Sequence, residues 1–471
     1  MEKIRSKILS IISEEFSVTE NEITDEIGPG DLVKWDSIGQ LRLILKLEKQ
    51  FSIQLTVDDV MSINNVRDII KIINNYVEDE EKQSEYNEEK ISITSVVHSV
   101  RFPSNTFWGK NSISVLKELD LDRIAVITGS SKYAEGITEK VTDLISKGTS
   151  LKAFRRPKGE PTESTILKLS KKLHQFSPDH IIAIGGGSTI DTAKLSWLLY
   201  EKPDFKLDDI DGSIIDLKLR EKATFIVVPT TFGSGSEVSS AAAFTKENDF
   251  GKSILVSHDF IPDQVILDPL LGEGAHLKII YSSAFDALTH AIEGYVSIIK
   301  HPMLEPIAIS AIKNIMRAIK KIISDGINTD LLETLCYSAY YAGIIQNHCS
   351  VGLTHSFSHQ LSHYGVSHGI ANAIFLKPVI DYNSKKINTY NNLAIEVGFK
   401  SITDLTDDIS IALNKSSIIP KKDIIEKIIN DKTMIVNGAM GDITFRTNPI
   451  TLDQGDVESV FDNTMKSLLN G

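Results

Sequence analysis

The chain is poor in cysteine: 471 residues hold only Cys336 and Cys349, too few for a disulfide framework. It lacks the run of roughly 18 uninterrupted apolar residues that a membrane span requires. The N-terminus, Met-Glu-Lys-Ile-Arg, has neither the apolar core nor the small-residue cleavage site of a signal peptide. These absences point to a reducing, cytoplasmic setting with no membrane. Basic residues are in deficit, 50 Lys and Arg against 63 Asp and Glu, for a formal net charge of −13. A nucleic-acid partner needs a cationic footprint to displace counterions, so none is expected.

An apolar share of 41% marks a globular protein, and the length exceeds one ordinary core. The charge is uneven. Residues 1–90 hold 20 Asp and Glu against 11 Lys and Arg, so −9 of the total sits there, as expected for a separate acidic module. The stretch Val77–Lys90 is highly charged and reads as a linker, or as the exposed end of the preceding helix. Before it, Ile4, Ile8, Ile11, Ile12 and Phe16 form one apolar helical stripe. Leu41, Leu43, Ile44, Leu47 and Phe51 form a second, and Val66, Ile69, Ile70, Ile72 and Ile73 a third.

After residue 91 the period changes. Arg123–Thr128, His180–Ile184 and Ala223–Val228 are short runs rich in β-branched residues with helical stretches between them, the alternation of a parallel α/β sheet. From about 273 onward helical patterns dominate, for example over 283–298, 303–323 and 331–347. The expected architecture is a small all-α four-helix bundle (1–78), an acidic linker (79–91), a Rossmann-like α/β dinucleotide-binding domain (92–272) and an all-α metal-binding domain (273–471).

Ile181–Lys194 reads as strand, glycine turn and helix. Gly185, Gly186 and Gly187 would let the backbone approach a pyrophosphate at a helix N-terminus, with the Ser188 hydroxyl as a further donor. A second strand exit, Val228–Val238, is rich in hydroxyls and glycine. The first strand exits as Gly129-Ser130-Ser131-Lys132. An acidic residue there would bond a ribose 2′-hydroxyl, whereas small donors and a cation suit a 2′-phosphate, which favours NADP(H) over NAD(H).

In the front module Asp36 or Ser37 caps the helix that follows, a common arrangement by itself. In this setting the segment resembles an acyl carrier protein over about residues 1–78, through the motif Asp36-Ser37-Ile38. The resemblance implies a 4′-phosphopantetheine arm on Ser37, added by a separate phosphopantetheinyl transferase, with acyl-loading and acyl-accepting enzymes as partners. The second helix also carries Arg42, Lys46 and Lys49, unusual for the acidic docking face of such domains.

His348, His355, His359, His363 and His368 crowd one span, and Asp286 and His290 are i and i+4, on one face of a helix. His355, His359 and His363 also repeat at i, i+4 and i+8, one helix face. A carboxylate and several imidazoles can hold a divalent ion, but spacing does not choose among the histidines. Residues from about 91 to 471 resemble the iron-containing (group III) alcohol dehydrogenase family through Gly185–Lys194, Pro229–Glu237, Asp286–Glu293, Ala342-Gly343, His355–Asn372 and Thr447-Asn-Pro449. That resemblance implies Fe²⁺ (or Zn²⁺) on Asp286, His290, His355 and His368, with His359 beside the reacting oxygen. It implies a dinucleotide held by Gly185–Ser188, Asp191, Thr230 and Thr231, with Gly129, Ser130 and Lys252 as further contacts, and a homodimer. Ser367 stands where the family usually has proline, and Gln346 where a pocket phenylalanine is common.

The expected activity is NAD(P)H-linked, metal-dependent reduction of an aldehyde to an alcohol. The small aldehyde cargo would be carried as a thioester on Ser37. The alternatives are reduction of a free polar aldehyde, with the carrier serving another enzyme, and a dehydroquinate-synthase-like non-redox reaction.

Overall fold

The computed structural model describes residues 2–32, 35–51, 55, 57–78, 100–145, 148–207, 215–246 and 252–470. The acidic linker expected at 79–91 lies outside them, as do the side chains of Ser37, Lys49 and Lys252. The chain forms two compact units, Met1–Arg101 and Phe102–Gly471.

The first unit is helical: Glu2–Phe16 (α1), Ser37–Phe51 (α2), Val57–Ser62 (α3) and Val66–Glu78 (α4). The stripes read from the sequence meet in one core, in which Ile8, Ile12, Leu43, Leu47, Val66, Ile69 and Ile73 surround Trp35. The Trp35 ring stacks on Phe16 at 4.8 Å. Asp36 caps α2: its Oδ1 accepts the Gly39 N–H at 2.8 Å. Ser37 is the first residue of that helix.

Two basic residues of α2, Arg42 and Lys46, take a different role from a docking face. Arg42 is buried and pairs with the equally buried Glu15 of α1, and Lys46 reaches Glu15 at 3.1 Å. The period of α2 turns Arg42 inward, where only an ion pair can satisfy it.

The second unit opens with a six-stranded, all-parallel sheet in the order β1-β8-β5-β4-β2-β3. Its strands are Asn105–Trp108 (β1), Arg123–Thr128 (β2), Ser150–Arg155 (β3), His180–Gly185 (β4), Thr224–Pro229 (β5) and Gln264–Leu267 (β8). Ala241–Thr245 (β6) and Lys252–Val256 (β7) form a separate antiparallel hairpin. Helices Lys132–Leu144 (α5), Glu163–Phe176 (α6) and Gly187–Glu201 (α7) connect the strands. Ala125, Ile127, Ile181 and Ala183 face α6 and α7. Ile124, Val126, Ile182 and Ile184 face α5. Both faces are covered, which is why these strands are continuously apolar. The helix after β2 and the helix after β4 lie on opposite faces, so the gap between these neighbouring strands is the topological switch point, where α/β sheets bind ligands.

The remainder is helical: Leu277–Val296 (α8), Glu305–Asp325 (α9), Thr329–Cys349 (α10), Leu353–His359 (α11) and His368–Asn383 (α12). Thr389–Glu396, Ile402–Ser416, Lys422–Asn430, Lys432–Gly441 and Gln454–Asn470 (α13–α17) follow. The i, i+4, i+8 reading of the histidines fails at its last member. α11 ends at His359, and His363 sits in a separate 3₁₀ turn, Ser362–Tyr364, closed by Gly365 at φ 71°. Among the described residues no helix is long and apolar enough to cross a membrane.

Replacing Glu15 by Leu strands the Arg42 charge in the helical core. We expect a loss of about 3–5 kcal/mol in the first unit, read as faster hydrogen exchange in α1 and α2 of the full chain. The Glu15→Leu/Arg42→Leu pair should recover most of it.

Candidate active site

α8 carries the centre of the second unit. Asp286, His290 and Glu293 fall at i, i+4 and i+7 of this buried helix, on one face. α11 supplies His355, and the first residue of α12 is His368. One donor atom from each of Asp286, His290, His355 and His368 lies within 4.8 Å of all the others. The sequence separation is bridged by close packing. α12 begins against the first turns of α8, where a Cβ on Gly369 would lie 2.0 Å from the Ser282 carbonyl oxygen.

Each of the three rings is anchored by Nδ1. His290 Nδ1 is 3.2 Å from the Gly233 carbonyl, which can only accept. His355 Nδ1 is 2.7 Å from Glu293 Oε2. His368 Nδ1 is 3.0 Å from Ser358 Oγ, whose own hydrogen goes to the His355 carbonyl. The hydroxyl therefore accepts. Each of the three therefore carries a hydrogen on Nδ1 and turns Nε2 to the cluster, the nitrogen that the matching neutral tautomer would offer to a metal ion.

Burial, reinforced by His355, pulls the pKa of His290 well below the ordinary value and keeps the ring neutral. Its Nε2 is buried without a hydrogen-bond partner, an expensive arrangement unless something accepts the lone pair. Glu293 is buried too. Burial opposes its ionisation, but the His355 hydrogen bond and the Gly352 N–H outweigh that and hold its pKa below the usual carboxylate value. Asn372, one turn after His368, donates to Asp286 Oδ1 at 2.7 Å. A carboxylate with three imidazoles suits Fe²⁺ or Zn²⁺, so these residues fit a divalent ion. His290 and His355 are closed from solvent at 1% exposure, while the His368 side chain is 25% exposed, so the open side of the set is there.

His359 lies outside the donor set but beside it. Its ring is parallel to that of His368 at 5.3 Å, and its Nδ1 is 2.7 Å from Asp442 Oδ2. The late Thr447-Asn448 segment braces α11: Thr447 Oγ1 donates to the Val351 carbonyl, and Asn448 Oδ1 accepts from Leu353 N–H at 3.5 Å.

At the switch point, Gly186 caps α7, whose first turn presents N–H groups lacking intrahelical partners. A side chain on Gly186 would meet Thr231 Oγ1 at 2.5 Å. The Thr230 N–H donates to the Gly185 carbonyl at 3.0 Å. Thr230 and Thr231 also line a small cavity with Ile280 and Ser283 of α8. One loop, residues 230–237, thus touches the glycine turn and, three residues later, holds His290 through Gly233. Asp191 accepts from Ala243 N–H at 3.2 Å, tying α7 to β6. Lys194 is fully buried, donates to the Ser239 carbonyl at 2.6 Å, and is pulled down to about 8 by burial.

Gly129 and Ser130 follow β2, and Ser131 is committed as the cap of α5, accepting from Ala134 N–H at 3.1 Å. Lys252 opens β7. Arg155, at the end of β3 opposite Thr128, is half-exposed and paired with Glu135 of α5 at 2.6 Å.

Glu293, Ser358, Asn372 and Asp442 were missed from the sequence. Glu293 left a signal, three residues after His290 on the Asp286 face, and so did Asn372, one turn after His368. The others act across long separations or through a single hydroxyl.

The family model for iron-containing alcohol dehydrogenase matches residues 103–269, and that for the C-terminal part of the same family matches 280–465. A phosphopantetheine attachment site model matches 6–73. An NADPH-dependent butanol dehydrogenase of Clostridium saccharobutylicum is 31% identical over 374 residues, covering 76% of this chain and 96% of that protein. Aldehyde-alcohol dehydrogenase 2 of Entamoeba histolytica is 31% identical over 301 residues, and the matched part spans 34% of that longer protein. Among solved structures, the iron-containing alcohol dehydrogenase of Thermococcus thioreducens has a TM-score of 0.72 at 26% identity. It covers 78% of this chain and 100% of its own.

Removing Glu293's charge while keeping its shape (Glu293→Gln) should weaken metal retention about 10–100-fold, and His290→Ala should abolish it. Both are read by metal content after dialysis. A His290→Ala protein that keeps a full complement of metal would overturn this ligand assignment.

Proposed function

This chain belongs to the iron-containing alcohol dehydrogenase family and carries a phosphopantetheine-attachment domain in front of it; from that premise we propose that it reduces an aldehyde group on a small acyl cargo held as a thioester on Ser37. Membership makes the protein an oxidoreductase that uses a metal and a nicotinamide cofactor. The observation that carries the reading is the shared loop. Thr231 packs on the glycine turn and Gly233 holds His290, so a nicotinamide directed from the switch point would reach the open side of the donor set.

When bound, a divalent ion (Fe²⁺ or Zn²⁺) would supply Lewis-acid activation of the carbonyl, and reduced nicotinamide would supply hydride. The chain's own residues do the rest. Asp286, His290, His355 and His368 hold the ion. Gly185–Ser188 and the α7 N-terminus bind the pyrophosphate, with Asp191, Thr230 and Thr231 shaping the cleft and Lys252 a further candidate contact. His359 gives a proton to the substrate oxygen as carbon receives hydride, so an aldehyde becomes a primary alcohol. Gly129, Ser130 and Lys132 favour a 2′-phosphate and hence NADPH. The 31% identical relative named for NADPH supports the same preference.

A phosphopantetheinyl transferase would load the arm, and other enzymes would charge and discharge it. A homodimer is the assembly the family suggests. The tether would raise the cargo's effective concentration to about the mM range where its reach allows. One observation favours a second reading, reduction of a free aldehyde: a match over only 76% of this chain spans 96% of a relative named as a butanol dehydrogenase.

Intact-mass analysis separates the two. Phosphopantetheinylated protein charged with a semialdehyde thioester should gain one hydride and one proton on the arm when given NADPH. No gain with any small aldehyde cargo, alongside turnover of the same aldehyde in free form, would establish the second reading. His359→Ala should keep its metal and slow turnover about 10²–10⁴-fold; an unchanged rate would remove that residue from the mechanism.

A further inference from the structure

Four histidine rings converge here, and each has its Nδ1 tied down. Three belong to the candidate metal donors. The fourth, His359, is oriented with equal care yet contributes no atom to that set. Its anchor is the strongest kind available, an ionised carboxylate at 2.7 Å.

Asp442 is itself held on every side. Its Oδ1 accepts the Thr444 N–H at 2.9 Å and the Thr444 hydroxyl at 2.8 Å, capping the 3₁₀ turn Ile443–Thr447. That turn is bound back to α11 through Ser356 Oγ and Thr444 Oγ1, 2.9 Å apart. Capping needs only Oδ1. Oδ2 is left over, and it is aimed at the ring of His359, which is 11% exposed.

We infer that Asp442 is a positioning residue for the reaction: by accepting the Nδ1 proton of His359 it holds that ring in one tautomer and turns Nε2, the opposite nitrogen, towards the substrate oxygen. The inference rests on the proton-donor role read for His359 above. In reduction, His359 gives the Nε2 proton to the oxygen as hydride reaches carbon, and is left as the neutral Nδ1–H tautomer, still bonded to an Asp442 that remains a carboxylate throughout. In oxidation the bare Nε2 of that same tautomer takes the proton back. The opposite tautomer would put a hydrogen where a lone pair is needed and leave the carboxylate facing a bare nitrogen.

Asp442→Asn tests this on the full-length, metal-loaded protein. The amide oxygen can keep the cap on Thr444, while its NH₂ can only face a bare Nδ1, which drives the ring to the Nε2–H tautomer. Asp442→Ser is the control that keeps a capping oxygen and deletes the ring partner. With NADPH and propanal as probe, we expect Asp442→Asn to retain metal and thermal midpoint, change KM little, and lose about 10²–10⁴-fold in kcat. Asp442→Ser should lose a comparable factor. In zinc-loaded protein with ¹⁵N-labelled histidine, the signal missing from His359→Ala should move from the Nδ1–H to the Nε2–H pattern in Asp442→Asn. On a His359→Ala background, Asp442→Asn should cost nothing more.

An unchanged kcat per bound metal in Asp442→Asn, or an unmoved tautomer, or a full additional loss on the His359→Ala background, overturns the proposal and leaves Asp442 as a cap alone. The tautomer is read without substrate. A protein that turns over no aldehyde but shows the tautomer shift sinks the substrate reading and upholds the role of Asp442.

Discussion

The site depends on where three imidazole protons are placed. A ring that carries its hydrogen on the wrong nitrogen cannot present a lone pair, and a buried lone pair with nothing opposite it is costly. Gly233, Glu293 and Ser358 each settle that question for one histidine. The anchors differ in strength. Glu293 is a buried carboxylate that also receives the Gly352 and Thr354 N–H groups, so it holds the start of α11 as well as the ring of His355. The start of α11 and the candidate metal site therefore share one hydrogen-bond network.

That network is joined to the sheet by the loop of residues 230–237. The loop leaves β5 beside the glycine turn, packs Thr231 on Gly186, and reaches α8 at Gly233. Hydride transfer demands that donor and acceptor carbons approach closely with fixed orientation. A loop touching both halves couples the position of a dinucleotide to that of an ion without either half having to move as a body.

The front unit follows a different logic. It buries an ion pair, Arg42 with Glu15, inside a helical core of isoleucine and leucine. Such a pair contributes little net stability when intact but is expensive to break, so it restricts which packings of α1 on α2 are allowed. Asp36 Oδ1 caps the start of α2, and Ser37 is the first residue of that helix.

Much was legible from residue order alone. The β-branched runs at 123–128 and 180–184, the glycine turn at 185–187 and the helical stripes of the first 76 residues mark their elements because periodicity and turn chemistry act within a few residues. Asp286 and His290 announce a shared helix face by the same short-range rule. Spacing left open which histidines join them, and only the family resemblance pointed to His355 and His368; tertiary structure closes α11 at His359, takes His363 into a 3₁₀ turn, and sets His368 at the head of α12. Asp442 is 83 residues from His359 and Glu293 is 62 from His355, and no spacing rule spans such distances. Hydrogen-bond partners of that kind are chosen by packing between helices, so they exist only once the helices have met.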